Sequence, residues 1–76
     1  MKNIKILGSG CANCKTTLKR IDDTAKAQGV DVELEKVEEL EDIMAFGVMS
    51  TPAVVVDGKV VHAGGIPSVE AIRSWL

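Results

Sequence analysis

Gly8-Ser9-Gly10-Cys11-Ala12-Asn13-Cys14-Lys15 is the stretch that decides the fold. A short apolar run, Ile4 to Leu7, precedes it and reads as a strand. A long helical pattern begins at the cysteines themselves. The only two cysteines of the chain therefore stand where a strand turns into a helix. A helix start leaves backbone N–H groups unpaired and carries partial positive charge. That favours a thiolate, so Cys11 is expected to titrate below an ordinary cysteine. Two thiols at this spacing either close a small disulfide or chelate a soft metal.

Working outward, Asn3 to Leu7 is an isoleucine-rich central strand, β1. Gly8 and Gly10 are expected to break it and let the backbone turn sharply. From Ala12 to about Gln28, Cys14, Leu18, Ile21 and Ala25 fall on one face of a helix, α1. Lys15, Lys19, Asp22, Asp23 and Lys26 lie largely off that face. Cys14 thus heads the buried stripe, and Cys11 sits beside solvent. Gly29 is a C-terminal stop. Val30 to Val37 alternates apolar and acidic residues, a half-buried strand β2, parallel to β1 through a right-handed crossover.

Glu38 to Phe46 reads as a second helix, α2, with an acidic start suited to the helix dipole. Leu40, Ile43 and Met44 form its apolar face, and Met44, Phe46 and Met49 are expected in core or loop packing. Val48 to Pro52 leads into a dense β-branched strand, β3, at Ala53 to Val56. Asp57-Gly58 is a two-residue hairpin turn, and Lys59 to Ala63 returns as β4. After Gly64-Gly65 a last helix, α3, runs to Leu76, with Val69, Ile72 and Leu76 inward and Trp75 packing the helix on the sheet. Ser68 is placed to cap it, and Pro67 equally to be its first residue. The order is β-α-β-α-β-β-α. The simplest α/β arrangement is a mixed four-stranded sheet with β1 between β2 and β3, β4 on the far edge, and helices on both faces.

Seventy-six residues correspond to a single small domain, 1–76. An apolar content of 46% supports a core, almost wholly aliphatic, since Phe46 and Trp75 are the only aromatics. Nine basic and eleven acidic residues give a formal charge of -2, which argues against a nucleic-acid surface. No apolar run approaches membrane-spanning length. Met1-Lys2-Asn3 passes straight into a strand without a signal-peptide apolar region, so the expected compartment is cytoplasmic. A lasting structural disulfide is uncommon there, and a close cysteine pair more often means redox catalysis or metal binding.

Three features in order carry a family resemblance: Cys11-x-x-Cys14 near a β-α-β pattern, Thr51-Pro52 just before an apolar strand, and the order of elements. Together they resemble the small thioredoxin-like redox-active disulfide proteins of bacteria and archaea. Those share a G-x-x-C-x-x-C-K start and an S-T-P-A strand. The resemblance implies a minimal thioredoxin-like fold over the whole chain, with Pro52 cis and packed beside Cys11. Thr51 would offer backbone groups to an extended substrate segment. It implies thiol–disulfide exchange: Cys11 attacks a substrate disulfide, Cys14 resolves the mixed disulfide, and a Cys11–Cys14 disulfide is left. Ala12, Asn13 and Lys15 would tune that couple, with Lys15 also reading as a solvated surface lysine. No separate cofactor is needed. Disulfide-containing protein substrates and a thioredoxin-reductase-type flavoenzyme are the implied partners, and a monomer is the default.

Several positions depart from ordinary thioredoxin. Ser9-Gly10 stands where a Trp would precede Cys11, and Ala12-Asn13 replaces Gly-Pro. No counterpart of the buried aspartate beneath the active site is evident. Gly64-Gly65 resembles the glutaredoxin diglycine, but Ile66-Pro67 replaces the acidic pair after it, so glutathione binding is not favoured. The alternative class is a soft-metal carrier holding Cu(I) through the same cysteines. Carriers of that kind run β-α-β-β-α-β, end in a strand, and have a methionine near the position of Ser9. A structural zinc site would need four ligands, and only His62 is left to join the cysteines. His62 reads more simply as a surface or half-buried residue of an edge strand.

Overall fold

A computed structural model describes residues 2–8 and 12–76. The expectations for Ser9, Gly10 and Cys11 lie outside these residues. The elements follow in the order β1 (Lys2–Leu7), α1 (Ala12–Gln28), β2 (Val32–Val37), α2 (Leu40–Ala45), β3 (Ala53–Val56), β4 (Lys59–Ala63) and α3 (Val69–Trp75). The sheet order is β2-β1-β3-β4, with β1 parallel to β2 and antiparallel to β3. The last element is a helix, so the order is not that of the metal carriers.

β1 is central because its side chains are apolar on both faces. Ile4 and Ile6 point to one side, where they pack with Val54, Ile21 of α1 and Ile72 of α3. Leu7 points to the other, with Ala53, Val55 and Ile43 of α2. Leu18, Val32, Leu34, Trp75 and Leu76 close the rim of the first cluster, as Val37, Phe46 and Val48 do for the second. Lys5 shares the second face, half-buried, 3.9 Å from Glu35 and with its ammonium 5.8 Å from the Phe46 ring centroid.

The helix ends and turns have local causes. At the end of α1 the Val30 N–H donates to Ala25 O at 2.9 Å and the Gly29 N–H to Lys26 O at 3.1 Å, with Gly29 at φ 67°. This is a Schellman closure. It occupies Val30, which is why β2 begins at Val32. Asp57 and Gly58 both have positive φ, 50° and 84°, as a tight primed hairpin turn requires. Asp57 also accepts the Asn3 N–H through Oδ1 at 2.9 Å, which ties the turn to the start of β1. Between Val54 and Val55 the β3–β4 register slips, leaving Val61 as an extra residue on β4. Of the two options for α3, the cap is adopted: the Ser68 hydroxyl accepts the Ala71 N–H at 3.1 Å. Pro67 is fully buried ahead of it, and its carbonyl accepts from Arg20 of α1 at 3.0 Å.

Three further expectations need correction. α2 is shorter than Glu38 to Phe46, and its apolar face is nearly all outside the core. Leu40 is 69% exposed and Met44 65%, and only Ile43 is buried. A six-residue helix makes too few turns to lay more than one side chain squarely on the sheet. Met49 is 99% exposed rather than packed, because its loop leaves the sheet before Pro52 returns to it. Val69 is 40% exposed; it is the first residue of α3 and borders a shallow groove lined by Thr16, Lys19, Arg20, Asp23 and Thr24. Gly8 ends β1 at a bend, as expected, but without a left-handed backbone, and its lack of a side chain also serves another purpose.

Candidate functional site

The site is assembled where three segments meet at one end of the sheet. The first is the passage from β1 into α1. Cys14, in the first turn of α1, is 7% exposed and heads the buried face of that helix. The first turn carries no acidic residue, so nothing there opposes the positive end of the helix. The carbonyls of Ala12 and Asn13 accept the hydroxyls of Thr16 and Thr17, at 3.1 and 2.7 Å. Ala12, Asn13 and Lys15 are themselves exposed. Cys14 therefore occupies the sheltered position expected of it, while Cys11 is outside the described residues.

The second segment is the loop before β3. The Thr51–Pro52 bond is cis, Pro52 is fully buried, and Thr51 is exposed. Thr51 and Cys14 approach a common point at Gly8. A Cβ built on Gly8 would lie 2.1 Å from Cys14 Sγ and 3.8 Å from Thr51 Cβ. The third segment follows β4. The Gly64 N–H donates to Pro52 O at 2.9 Å, and Gly64, at φ 80°, packs against Ser50. The β3–β4 hairpin thus carries the proline loop and the Gly64-Gly65 turn to the same end.

Ile6, Gly8, Cys14, Lys15, Lys36 and Glu38 line a small recess beside the Cys14 sulfur. Lys36 reaches it because β2 runs parallel to β1 with Lys36 opposite Ile6. Three contributions escaped the sequence reading. Gly64 reads from sequence as a chain break and part of a diglycine, and simple counting from Asp57-Gly58 sets Ala63 opposite Pro52; the extra residue Val61 on β4 shifts Gly64 into that place. Lys36 is not singled out in the sequence and Glu38 reads there only as part of an acidic helix start; parallel pairing with β1 is the available signal for Lys36. Gly8 had no signal, because a glycine before a helix usually serves backbone conformation. His62 is half-buried, its Nε2 2.9 Å from Gly65 O and its ring 6.0 Å from that of Trp75.

A cysteine sheltered in the first turn of a helix, beside a cis-proline loop on a mixed sheet, defines the architecture of thiol–disulfide exchange proteins. The family model for the thioredoxin domain matches residues 2–76. A thioredoxin of Methanothermobacter thermautotrophicus is 37% identical over 76 residues, covering 100% of this chain and 99% of its own. A thioredoxin of Methanocaldococcus jannaschii is 37% identical over 73 residues, 96% of this chain and 84% of its own. The chain belongs to the thioredoxin family of thiol–disulfide oxidoreductases. Among solved structures, one titled as a malarial protein has the same fold, with a TM-score of 0.64 at 18% identity over 100% of this chain and 98% of its own.

Proposed function

We propose that this chain is a protein-disulfide reductase in which Cys11 attacks and Cys14 resolves. The observation that carries this reading is the placement of Cys14, buried against Gly8 in the first turn of α1 with Thr51 close by. A sulfur held there is shielded from bulky substrates, and it is only three residues along the chain from Cys11. The positive end of α1 favours the Cys11 thiolate, which opens a substrate disulfide and forms a mixed disulfide. The Cys14 thiolate then displaces the substrate sulfur, leaving the Cys11–Cys14 disulfide.

In this reading an extended segment of the substrate protein pairs with the backbone at Thr51, against Pro52. Ala12, Asn13 and Lys15 tune the couple through the backbone and charge around the sulfurs. A thioredoxin-reductase-type flavoenzyme reopens the disulfide, and no cofactor beyond the cysteine pair takes part. Residues 1–76 work as one domain, as a monomer, in a reducing cytoplasm.

The test is trapping. With a disulfide-bearing protein such as insulin as substrate, Cys14→Ser should accumulate a mixed disulfide detectable by mass, and Cys11→Ser should not. The opposite pattern would exchange the two roles. Trapping by neither variant, with no insulin reduction by the wild-type chain, would remove the reductase reading.

A further inference from the structure

We propose that Gly8 is a positioning residue for the second step of exchange, because its missing side chain is the seat of the Cys14 sulfur. The proposal rests on Cys14 being the resolving thiol. A Cβ on Gly8 would stand 2.1 Å from Cys14 Sγ but 3.4 Å from Cys14 Cβ. Only the sulfur uses the space; the rest of the side chain would tolerate a methyl group. The backbone of Gly8 is not left-handed, so conformation does not demand glycine there.

The Gly8 wall of the seat is not free to retreat. The Gly8 N–H donates to Val37 O at 2.9 Å. Leu7, just before it, is fully buried and pairs with Val37 on one side and Ala53 on the other. Thr51 stands close to the seat, its Cβ 3.8 Å from the same point. A methyl group at position 8 must therefore drive the sulfur about an ångström or more away, by turning the Cys14 side chain.

That displacement acts on one chemical step. In it the Cys14 thiolate attacks Cys11 Sγ of the mixed disulfide. The Cys14–Cys11 bond forms and the Cys11–substrate bond breaks. The electron pair leaves on the substrate sulfur, which takes a proton from water. The cysteine pair is oxidised and the substrate disulfide reduced. A reacting atom displaced by about an ångström loses roughly a hundredfold in rate.

The experiment uses the full chain. In Gly8→Ala, the mixed disulfide with insulin should persist, with resolution slowed by roughly a hundredfold in stopped-flow quenching. A second readout needs no substrate. In a Cys11→Ser background, Gly8→Ala should raise the rate at which iodoacetamide alkylates Cys14 several-fold, since the sulfur has left its buried seat. The third is a stability cycle. Any stability that Gly8→Ala removes should return in Gly8→Ala/Cys14→Ala, where no sulfur competes for the space. Equal losses in both backgrounds, or alkylation and resolution both at wild-type rates, would overturn the proposal. If Gly8→Ala exposes Cys14 while the wild-type chain forms no mixed disulfide, the seat stands and the reductase reading falls.

Discussion

Thr17 and Thr24 lie on the buried face of α1, where the apolar periodicity marks only Cys14, Leu18, Ile21 and Ala25. Each threonine hydroxyl donates to the carbonyl one turn earlier, Asn13 O and Arg20 O, both at 2.7 Å. That internal bond is what admits a polar side chain to the core. Leu18, by contrast, ends only half-buried at the rim. Thr17→Ala should therefore cost about 1–2 kcal/mol, read from the urea midpoint, because it empties fully buried volume. Thr16 makes the same kind of bond at the surface, and Thr16→Ala should stay within about 0.5 kcal/mol. Hydropathy cannot separate these two threonines; helix phase relative to Cys14 does. Gly29 was legible for the opposite reason. Its left-handed backbone follows from its place after the last helical turn, and a Cβ there meets nothing within 4 Å. Gly29→Ala should cost about 1 kcal/mol through backbone strain alone, measured by the same denaturation.

At the scale of elements, the segments were legible because each has its own periodicity and its own stop. Asp57-Gly58 fixes the hairpin, and the dense run Ala53 to Val56 fixes an inner strand, buried through Val55. What periodicity cannot give is how much of a helix face finds a partner. α2 has three apolar residues at helical spacing, yet Ile43 alone reaches the core, joined at the end by half-buried Phe46. Ile43→Ala should thus cost about 2–4 kcal/mol, while Met44→Ala on the next position should stay within about 0.5 kcal/mol. Comparable losses at both positions would mean that α2 lies flatter on the sheet than its burial indicates. α3 is anchored differently, by the Ser68 cap and by Ile72. Ser68→Ala should remove about 1 kcal/mol by freeing the Ala71 N–H.

Across the whole molecule, the two inner strands β1 and β3 join two packing layers, each strand contributing side chains to both. The layer under α1 and α3 holds Trp75, and the layer under α2 holds none of the chain's tryptophan. Because Ile4, Ile6 and Leu7 alternate between the layers along one strand, loss of either layer should unseat the other. Urea unfolding followed by Trp75 fluorescence should superimpose on far-UV circular dichroism, a single transition. Separate midpoints would mean that the two layers melt apart. The site inherits its geometry from this arrangement: β1 delivers Cys14, β3 delivers Pro52, and they are neighbours in the sheet.

The outer strands carry a further consequence. β2 presents Glu33, Glu35 and Lys36 along its length, and β4 is kinked where Val61 is inserted. A stray strand approaching the first margin meets charge, and one approaching the second finds donors and acceptors out of step. A chain this rich in aliphatic β-formers is thereby guarded against fibrillar growth at both margins of its sheet.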